Sequence, residues 1–313
     1  MRLLDLSYPT AQENLAFEEW YFQHFEQETL RIWISPPSVI SGKHQNVLAE
    51  CNLHSCEELN IPVLRRISGG GTVYHDLGNI NFSFFRKVDR NKMIDYDRSL
   101  ILIQKSLNNL GFPVTMSERH DLFLGEEKIS GNAQHLRSGR VLHHGTILYD
   151  ANLDHLRVAI KRKSGKFIDK SVKSVRSPIT NLRSFKDLGN TEQFKSELID
   201  SFQSEGLVSL ELNQQIGSDL AALISSKYDL DEWNFGYSPA YEFNNKKDRL
   251  SCKITTARGG KIINIEFSDN GKRQDYLEKI ITGKMHFFKE IKSALTESGI
   301  EEEKVAEYLE VIF

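Results

Sequence analysis

The sequence RRISGGGTVYHDLGN, residues 65–79, places three consecutive glycines between two segments with the character of β-strands. Glycine exposes backbone N–H groups and adopts conformations that other residues avoid, so such a loop lets a ligand approach the main chain closely. Arg66, just before the loop, offers a planar cation that suits phosphate or carboxylate. No Gly-Lys-Ser/Thr follows, so the loop is not a Walker motif. The pattern predicts an anion-binding loop, with a plain tight turn or β-bulge as the alternative.

The segments around the loop mix helices with strands and hairpins. Their apolar spacing predicts helices over 11–28, 50–60 and 95–111, strands over 31–35, 63–67, 72–75, 80–85 and 143–149, and a hairpin over 121–129. This mixture favours an α+β fold over the regular βαβ alternation of a Rossmann fold.

A different pattern occupies the last seventy residues. Alternating apolar residues predict a hairpin over 250–267, and helical spacing follows over 274–297 and 301–311. The polar stretch 244–248 precedes them. We therefore expect two domains, residues 1–243 and 244–313, the second of them small.

Composition limits the class of protein. The chain has 313 residues, of which 39% are hydrophobic and 27% charged, and a net charge of −3. These values are typical of a globular protein and argue against a general nucleic-acid binder. No segment has the ~20 apolar residues that span a bilayer, and Asp5 interrupts any apolar leader. Three cysteines make no disulfide framework. The sequence predicts a soluble cytoplasmic protein without a nucleic-acid or membrane partner.

A lysine beside small residues forms the second candidate site. Lys128 begins the sequence KISGNA on the far strand of the predicted hairpin, where it can neutralise negative charge on a phosphoryl or acyl centre. Asp121, at the start of that hairpin, can face the same site and orient Lys128 or bind a ligand amine or hydroxyl. An exposed strand lysine and a turn-flanking aspartate are the alternatives.

His143 and His144 stand next to each other on a predicted strand. Neighbouring side chains of a strand point to opposite faces, so at most one of the two is expected to reach a shared site. Packing is the default role for both.

The run from Lys161 to Arg176 contains seven basic residues and one acid. Most such runs are solvated faces. The functional alternative is a mobile basic loop that closes over an anionic ligand or docks an acidic protein.

Cys51 and Cys56 flank His54, but no second pair of ligands lies at a suitable spacing. A structural zinc site needs four ligands, so we expect no metal site in the protein. Buried thiols are the simpler interpretation.

Several motifs, taken in order, resemble those of lipoate–protein ligases. Residues 65–79 resemble the glycine-rich signature of the family, KISGNA at 128–133 resembles its lysine motif, and HHGT at 143–146 follows at the expected place. Further matches are SVRS at 174–177, TNL at 180–182 and WNFG at 233–236. The resemblance spans almost the whole chain.

The resemblance implies a biotin/lipoate-ligase fold, with a mixed central sheet flanked by helices and a small C-terminal α+β domain. It also implies a two-step reaction. Lipoate attacks the α-phosphate of ATP, assisted by Mg²⁺, and the lipoyl group of the resulting lipoyl-AMP passes to a lysine of an acceptor protein. Lys128 would be the catalytic residue that bridges the carboxyl and phosphate oxygens. The residues implied on the nucleotide and adenylate side are Arg66, Gly71, Thr72, Val73, Tyr74, Asn79, Asp121, Lys128 and Ala133.

The acceptors implied by the resemblance are the lipoyl domains of the E2 subunits of 2-oxoacid dehydrogenases and the H protein of glycine cleavage. The small substrate is lipoate or octanoate. We expect a monomer, because no interface signal stands out in the sequence.

Related activities compete with the ligase. An octanoyltransferase of the same fold uses a cysteine nucleophile, and none of Cys51, Cys56 and Cys252 is beside the lysine motif. A biotin ligase would carry a Gly-Arg-Gly-Arg loop in place of the three glycines. A lipoyltransferase that needs preformed lipoyl-AMP shares both motifs and stays open, as does a non-catalytic protein that binds lipoyl domains.

Overall fold

A six-stranded sheet forms the centre of the protein, and a computed structural model describes residues 1–88, 97–160, 166–169, 177–212 and 216–313. The strands are β1 (Arg2–Asp5), β2 (Thr29–Ile34), β3 (Ser38–Ser41), β4 (Val63–Arg65), β5 (Val73–His75), β6 (Asn79–Lys87), β7 (Val114–Met116), β8 (Leu122–Leu124), β9 (Glu127–Ser130), β10 (Asn132–Arg137), β11 (Arg140–Leu148), β12 (Lys166–Asp169), β13 (Val208–Ser209), β14 (Tyr241–Lys247), β15 (Leu250–Thr256), β16 (Ile262–Asp269) and β17 (Lys272–Arg273). The α-helices are α1 (Ala11–His24), α2 (Val47–Glu50), α3 (Leu53–Glu58), α4 (Asp97–Asn109), α5 (Leu153–Ala159), α6 (Thr191–Ser204), α7 (Gly217–Leu223), α8 (Asp231–Asn234), α9 (Asp275–Ile281), α10 (Phe288–Glu297) and α11 (Glu302–Ile312).

The central sheet has the order β10-β11-β6-β2-β1-β13. β1 pairs in parallel with β2 and β13, and the remaining pairs are antiparallel. The sheet is therefore mixed, and the predicted α+β fold with a mixed central sheet and flanking helices is confirmed.

Alternation along β6 decides which face of this sheet carries the site. Ile80, Phe82 and Phe84 are fully buried in the core that α4 and α6 cover. The residues between them point to the opposite face, as strand geometry requires. There Ser83 donates a hydrogen bond to Glu18 of α1, and Asn81 lines a cavity.

The glycine loop belongs to a second, three-stranded sheet of order β4-β3-β5. It connects β4 to β5, and both strands pair with β3. Gly70 has φ +88°, and a Cβ there would lie 2.9 Å from Nη2 of Arg66 and 3.3 Å from Cβ of Ala133. Position 70 thus requires glycine both for its backbone conformation and for its close approach to β10.

The predicted hairpin around residues 121–129 is present as β8 and β9, and β7 extends it to a third small sheet. β9 carries Lys128, whose backbone N–H donates to the carbonyl of Pro178 over 2.8 Å. The hairpin is thus attached to the segment that follows residue 176, and Lys128 is held by its main chain.

The strands β12, β14, β15, β16 and β17 form a five-stranded antiparallel sheet in which β12 is an edge strand. This sheet packs against α9, α10 and α11. β14 begins at Tyr241 and runs through the predicted boundary between residues 243 and 244, because residues 244–247 of the polar stretch pair with β15 instead of forming a linker. The single helix predicted over 274–297 is wrong. It is interrupted between Ile281 and Phe288, where Gly283 has φ +84°.

Other sequence predictions differ from the structure in smaller ways. The helix predicted over 50–60 is two short helices, α2 and α3, and the pattern missed α6 although a capping box marks its start at Asn190. The basic run is described only for β12, so the remainder of Lys161 to Arg176 lies outside the described residues. Across the described ranges, no helix has both the length and the apolar character needed to cross a membrane.

Arg65 connects three parts of the chain although it is fully buried. Its Nε donates to the carbonyls of Trp233 and Asn234, and its Nη1 donates to the carbonyls of Gly42, Lys43 and Gln45 over 2.9–3.0 Å. Burial lowers the pKa of Arg65 to about 10, which leaves the guanidinium charged at neutral pH. The first arginine of the signature is therefore structural.

We expect Arg65→Met to lower the free energy of unfolding by at least about 3 kcal/mol, because it leaves several buried carbonyls without donors. The measurement is urea unfolding followed by circular dichroism. Arg137→Met is the matched control, since Arg137 is exposed on β10, and it should change the free energy by less than about 0.5 kcal/mol. Equal losses in the two variants would contradict the structural role.

Candidate active site

A cavity of about 240 Å³ lies between the central sheet and the layer that carries the glycine loop. Its sheet side presents Trp33, Asn81 and Thr146, which stand opposite one another on the adjacent strands β2, β6 and β11. Its other side is formed by the glycine loop with β3 and β5, and α1 closes one flank with Leu15 and Glu18. A ligand here would therefore be enclosed by regular secondary structure.

Arg66 holds the glycine loop in place along one wall of this cavity. Its guanidinium donates to the carbonyls of Gly69 over 2.6 Å and Gly71 over 2.8 Å, to the carbonyl of Ile40 and to Oγ of Ser68. These four bonds use four of the five N–H donors of a guanidinium. Arg66 therefore fixes the shape of the glycine loop, and its positive charge and one N–H remain available to a ligand.

Lys128 and Asp121 form an ion pair at the edge of the cavity. Lys128 Nζ lies 2.9 Å from Asp121 Oδ1, and the two side chains are 23% and 21% exposed. Both line the cavity. The hairpin thus brings together the two residues that the sequence placed on either side of its turn. A cation at this position can meet an anionic ligand while the aspartate limits its movement.

A buried series of hydrogen bonds lies behind Arg66, and no sequence motif indicates it. Glu18 Oε2 lies 2.8 Å from Nδ1 of His144, and Nε2 of the same ring lies 2.6 Å from Oγ of Ser68, which accepts from Arg66. Ser83 donates to the other oxygen of Glu18 over 2.6 Å. These hydrogen bonds connect α1 and the central sheet to the glycine loop.

The charge state of Glu18 follows from these contacts. Burial alone would raise its pKa, but the nearby His144 ring and the hydrogen bonds from His144 and Ser83 outweigh burial and lower it. Glu18 is therefore ionised at neutral pH, although it is 1% exposed.

A second cavity, of about 700 Å³, adjoins the first. Thr72, Val73, Lys128, Gly131 and Thr146 line both cavities. The two spaces therefore meet beside Lys128, where a bond between two ligands could form or break.

The walls of the second cavity are largely apolar, with some hydroxyl groups and with Glu127, Lys128 and Arg157 as charged lining residues. Leu148, Leu156 and Ile160 supply apolar surface. Tyr74 and Ser130 also line it, and their hydroxyl oxygens are buried without a hydrogen-bond partner within the described ranges. Burial raises the pKa of Tyr74 to about 12, so its hydroxyl stays protonated. Such a slot suits a flat heteroaromatic group with polar edges.

Most of the residues singled out in the sequence lie at these two cavities. Those lining the first cavity are Arg66, Gly71, Thr72, Val73, Asp121, Lys128 and Ala133. Tyr74 lines the second. Asn79 lines neither, because its side chain is turned to Asn81, to whose Oδ1 it donates over 2.9 Å.

Of the two adjacent histidines, His144 lines the first cavity, whereas His143 faces away and its Nε2 lies 3.0 Å from Oδ1 of Asn132. Residues that sequence reasoning did not single out also line this cavity, among them Glu18, Trp33, His75 and Asn81. Trp33 and Glu18 lie in elements that carry no motif, so no local signal marked them.

Residues 10–203 match the family described as the lipoyl protein ligase A/B catalytic domain. The lipoate-protein ligase LplJ of Bacillus subtilis is 37% identical over 241 residues, which cover 75% of this chain and 73% of that protein. Lipoate–protein ligase 1 of Staphylococcus aureus is 34% identical over 296 residues, which cover 91% and 90%. This chain belongs to the lipoate–protein ligase family.

Solved structures of lipoate ligases resemble this ligase in fold as well. A lipoate-protein ligase A bound with ATP is 29% identical, with a TM-score of 0.64, and the match covers 75% of this chain and 98% of that one. A putative lipoate protein ligase from T. acidophilum with bound lipoic acid is 28% identical, with a TM-score of 0.63 and coverages of 75% and 99%.

The cysteines of the ligase do not supply a nucleophile to this site. Cys51, Cys56 and Cys252 are buried free thiols, and none lines either cavity. Burial raises the pKa of Cys56 and of Cys252 to about 12, so both remain thiols. Acyl transfer through a cysteine intermediate, the chemistry of the octanoyltransferase alternative, is disfavoured by this arrangement.

Stability conferred by Glu18 should depend on pH. Its pKa is lower in the folded protein than the ordinary value of 4.5, so its contribution is complete above about pH 5 and is lost as the pH falls through the folded pKa. We expect Glu18→Gln to lower the free energy of unfolding at pH 7 by about 1–3 kcal/mol. The difference from wild type should shrink in acid, where the wild-type carboxyl is also neutral.

The measurement is urea unfolding of both proteins between pH 7 and pH 3, with the exposed Glu26→Gln as matched control. A difference between wild type and Glu18→Gln that stays constant over this range would contradict an ionised, buried Glu18.

Proposed function

We propose that this protein is an ATP-dependent lipoate–protein ligase in which Lys128 joins the two half-reactions. The observation that carries the proposal is the position of Lys128, paired with Asp121 at the place where the two cavities meet. A carboxylate in one cavity and a nucleotide in the other would bring their reacting atoms together beside this cation.

The smaller cavity is proposed to hold the lipoyl chain. It extends from Lys128 across the sheet to Trp33, with Leu15 and Ile40 as further apolar walls. The larger cavity is proposed to hold the nucleotide. Its apolar surfaces and the hydroxyl groups of Tyr74 and Ser130 suit the face and the polar edge of a purine. The glycine loop and Arg66 lie along the first cavity, where they would meet the anionic part of the adenylate.

In the first step the lipoate carboxylate attacks the α-phosphorus of ATP, which forms the acyl–phosphate bond and releases pyrophosphate. Two anions must approach each other, so their repulsion is part of the barrier. Lys128 would lower that barrier by lying between the carboxyl and phosphate oxygens in a partly water-excluded site, where a cation acts more strongly than in water.

In the second step the neutral amine of an acceptor lysine attacks the acyl carbonyl of lipoyl-AMP and the C–N bond forms. AMP leaves with the electron pair of the broken acyl–oxygen bond, and the amine gives up one proton to the departing phosphate or to water. Lys128 would stabilise the oxyanion of the tetrahedral intermediate and the departing phosphate. Asp121 would keep Lys128 in position, with Ala133 and the backbone of Gly71, Thr72 and Val73 shaping the surroundings. Asn79 would act only through Asn81.

We propose that Mg²⁺ accompanies ATP and neutralises phosphate charge. In the part of the chain that the structure describes, no group of three or more His, Cys, Asp or Glu side chains could hold a metal ion. Magnesium in nucleotide sites needs only one or two carboxylates besides phosphate oxygens and water, and Asp121 is already engaged with Lys128. The ion would thus be bound mainly by the substrate.

The proposed acceptors are lipoyl domains of 2-oxoacid dehydrogenase E2 subunits and the glycine cleavage H protein, with octanoate as an alternative acyl donor. We also propose two domains, the second starting with β14 at Tyr241, and a cytoplasmic monomer. The three free thiols are compatible with a reducing compartment.

The intact mass of an apo-lipoyl domain provides the test. After incubation with the protein, lipoate and Mg²⁺, we expect one lipoyl group to be added only when ATP is present. Failure with ATP but modification with preformed lipoyl-AMP would identify the lipoyltransferase alternative. No modification with either would identify a binding protein. Omitting Mg²⁺ in the presence of EDTA should abolish the ATP-dependent reaction and leave transfer from lipoyl-AMP largely intact.

Lys128→Ala should lower kcat of the complete reaction by roughly 10²–10³, because it removes the cation that meets the developing charge. Its free energy of unfolding should change by less than about 1 kcal/mol, since the ion pair is partly exposed. Lipoate-dependent exchange of pyrophosphate into ATP measures the first step separately. The exposed Lys292→Ala of α10 is the control and should keep full activity. A Lys128→Ala protein that retains a tenth of the wild-type rate would contradict the assigned role.

A further inference from the structure

Three residues that line the first cavity have a buried polar atom without a hydrogen-bond partner in the described ranges: Oγ1 of Thr72, Nδ2 of Asn81 and Nδ1 of His75. Thr72 lies where the two cavities meet. Asn81 and His75 lie deeper and are 1% and 5% exposed. Native proteins rarely bury polar groups unpaired, so a ligand is the natural partner of these atoms.

The amide of Asn81 is oriented by its neighbour. Asn79 donates from its Nδ2 to Oδ1 of Asn81 over 2.9 Å, so the oxygen of Asn81 is already engaged and its N–H₂ group is left for the cavity. An amide nitrogen is a donor only. Asn81 therefore presents a hydrogen-bond donor to whatever occupies this space.

The ring of His75 lies on the opposite wall. It meets Trp33 edge to face at 5.6 Å between ring centroids. Burial and the neighbouring Arg66 cation lower the pKa of His75 to about 3, so the ring is neutral and carries one N–H. Asn81 and His75 thus make a partly polar patch inside a cavity that also has apolar walls.

The patch lies well away from the reacting end of the cavity. Asn81 on β6 stands opposite Thr146 on β11, and Thr146 Oγ1 accepts from the N–H of Gly131, on the far side of β11. A Cβ at Gly131 would lie 3.7 Å from Cε of Lys128. Two strand spacings of ~4.8 Å, from β6 to β11 and from β11 to Gly131, separate Asn81 from the residue beside Lys128. Asn81 is therefore roughly 10 Å from the reacting end of the cavity. A lipoate whose carboxylate meets Lys128 would place its ring near Asn81.

We propose that Asn81, assisted by His75, makes this ligase prefer the sulfur-containing ring of lipoate over the plain alkyl end of octanoate. This inference rests on the proposed function and concerns its acyl cavity. The ring sulfurs of lipoate are weak acceptors that can meet the N–H₂ group of Asn81 and, in the tautomer protonated at Nδ1, the N–H of His75. Octanoate has no acceptor at its tail, so its binding would displace water from these donors and leave them unpaired. The preference therefore comes mainly from a penalty against octanoate.

The experiment measures kcat/KM for lipoate and for octanoate with ATP, using the mass of an apo-lipoyl domain as readout. We expect wild type to favour lipoate on the order of fivefold to tenfold, since a site built to form hydrogen bonds rejects an analogue that lacks them. Asn81→Leu, which is similar in size and has no donor, should bring the ratio to within about twofold of unity, mainly by improving octanoate.

Leu15→Met is the matched control, because it alters an apolar wall of the same cavity without changing a donor. The kcat/KM values of Leu15→Met for lipoate and for octanoate should fall together, so that their ratio stays within about twofold of the wild-type ratio. A wild type without preference, or an Asn81→Leu protein with the wild-type ratio, would overturn the inference.

Thermal unfolding shows whether Asn81→Leu is folded. If it is not, His75→Phe is measured in the same way and must reduce the ratio, and an unchanged ratio overturns the inference. If wild type gives no product with either acid, the ligase proposal fails instead. Calorimetric titration of lipoate and octanoate into wild type and variant then tests the donor directly, and equal relative affinities in both proteins would contradict it.

Discussion

The hydrogen bonds from Arg66 to the glycine loop are the constraint on which the site depends. Glycine has the largest conformational freedom to lose on folding, so three consecutive glycines hold one shape only if something outside the loop fixes them. Arg66 does so through the carbonyls of Gly69 and Gly71, and the buried Glu18 carboxylate stabilises the arrangement through His144 and Ser68. The loop is consequently preorganised before any ligand binds, which saves ordering entropy during the reaction.

Two adjacent arginines, Arg65 and Arg66, hold different parts of this region in place. Arg65 points into the protein and connects β4 to α8 and to the loop that follows β3. Arg66 points to the opposite side and holds the cavity wall. Strand alternation explains the division, because successive side chains of an extended chain face opposite ways. Both guanidinium groups are desolvated, and the hydrogen bonds from main-chain carbonyls offset that cost.

The same alternation in β6 separates the side chains of the hydrophobic core from those on the cavity side of the sheet. Phenylalanines on one face bury against α4 and α6, while Asn81 and Ser83 bring polar groups to the other face. A cavity lined in this way can enclose an apolar chain and still contact its polar parts. Lys128 lies where this cavity meets a second one, so a single cation faces both spaces.

The sequence by itself determined most of the local elements and the lining residues that lie in the glycine loop and the lysine motif. Three glycines, a strand lysine and alternating apolar residues are short-range patterns, and short-range sterics and burial decide their structure. The tertiary structure alone decided the rest. Glu18 and His144 are 126 residues apart. Residues 244–247 of the polar stretch form a strand because they pair with β15, and Asn81 offers a donor to the cavity because Asn79 occupies its oxygen. Such contacts depend on which surfaces meet after folding, and no local pattern encodes that.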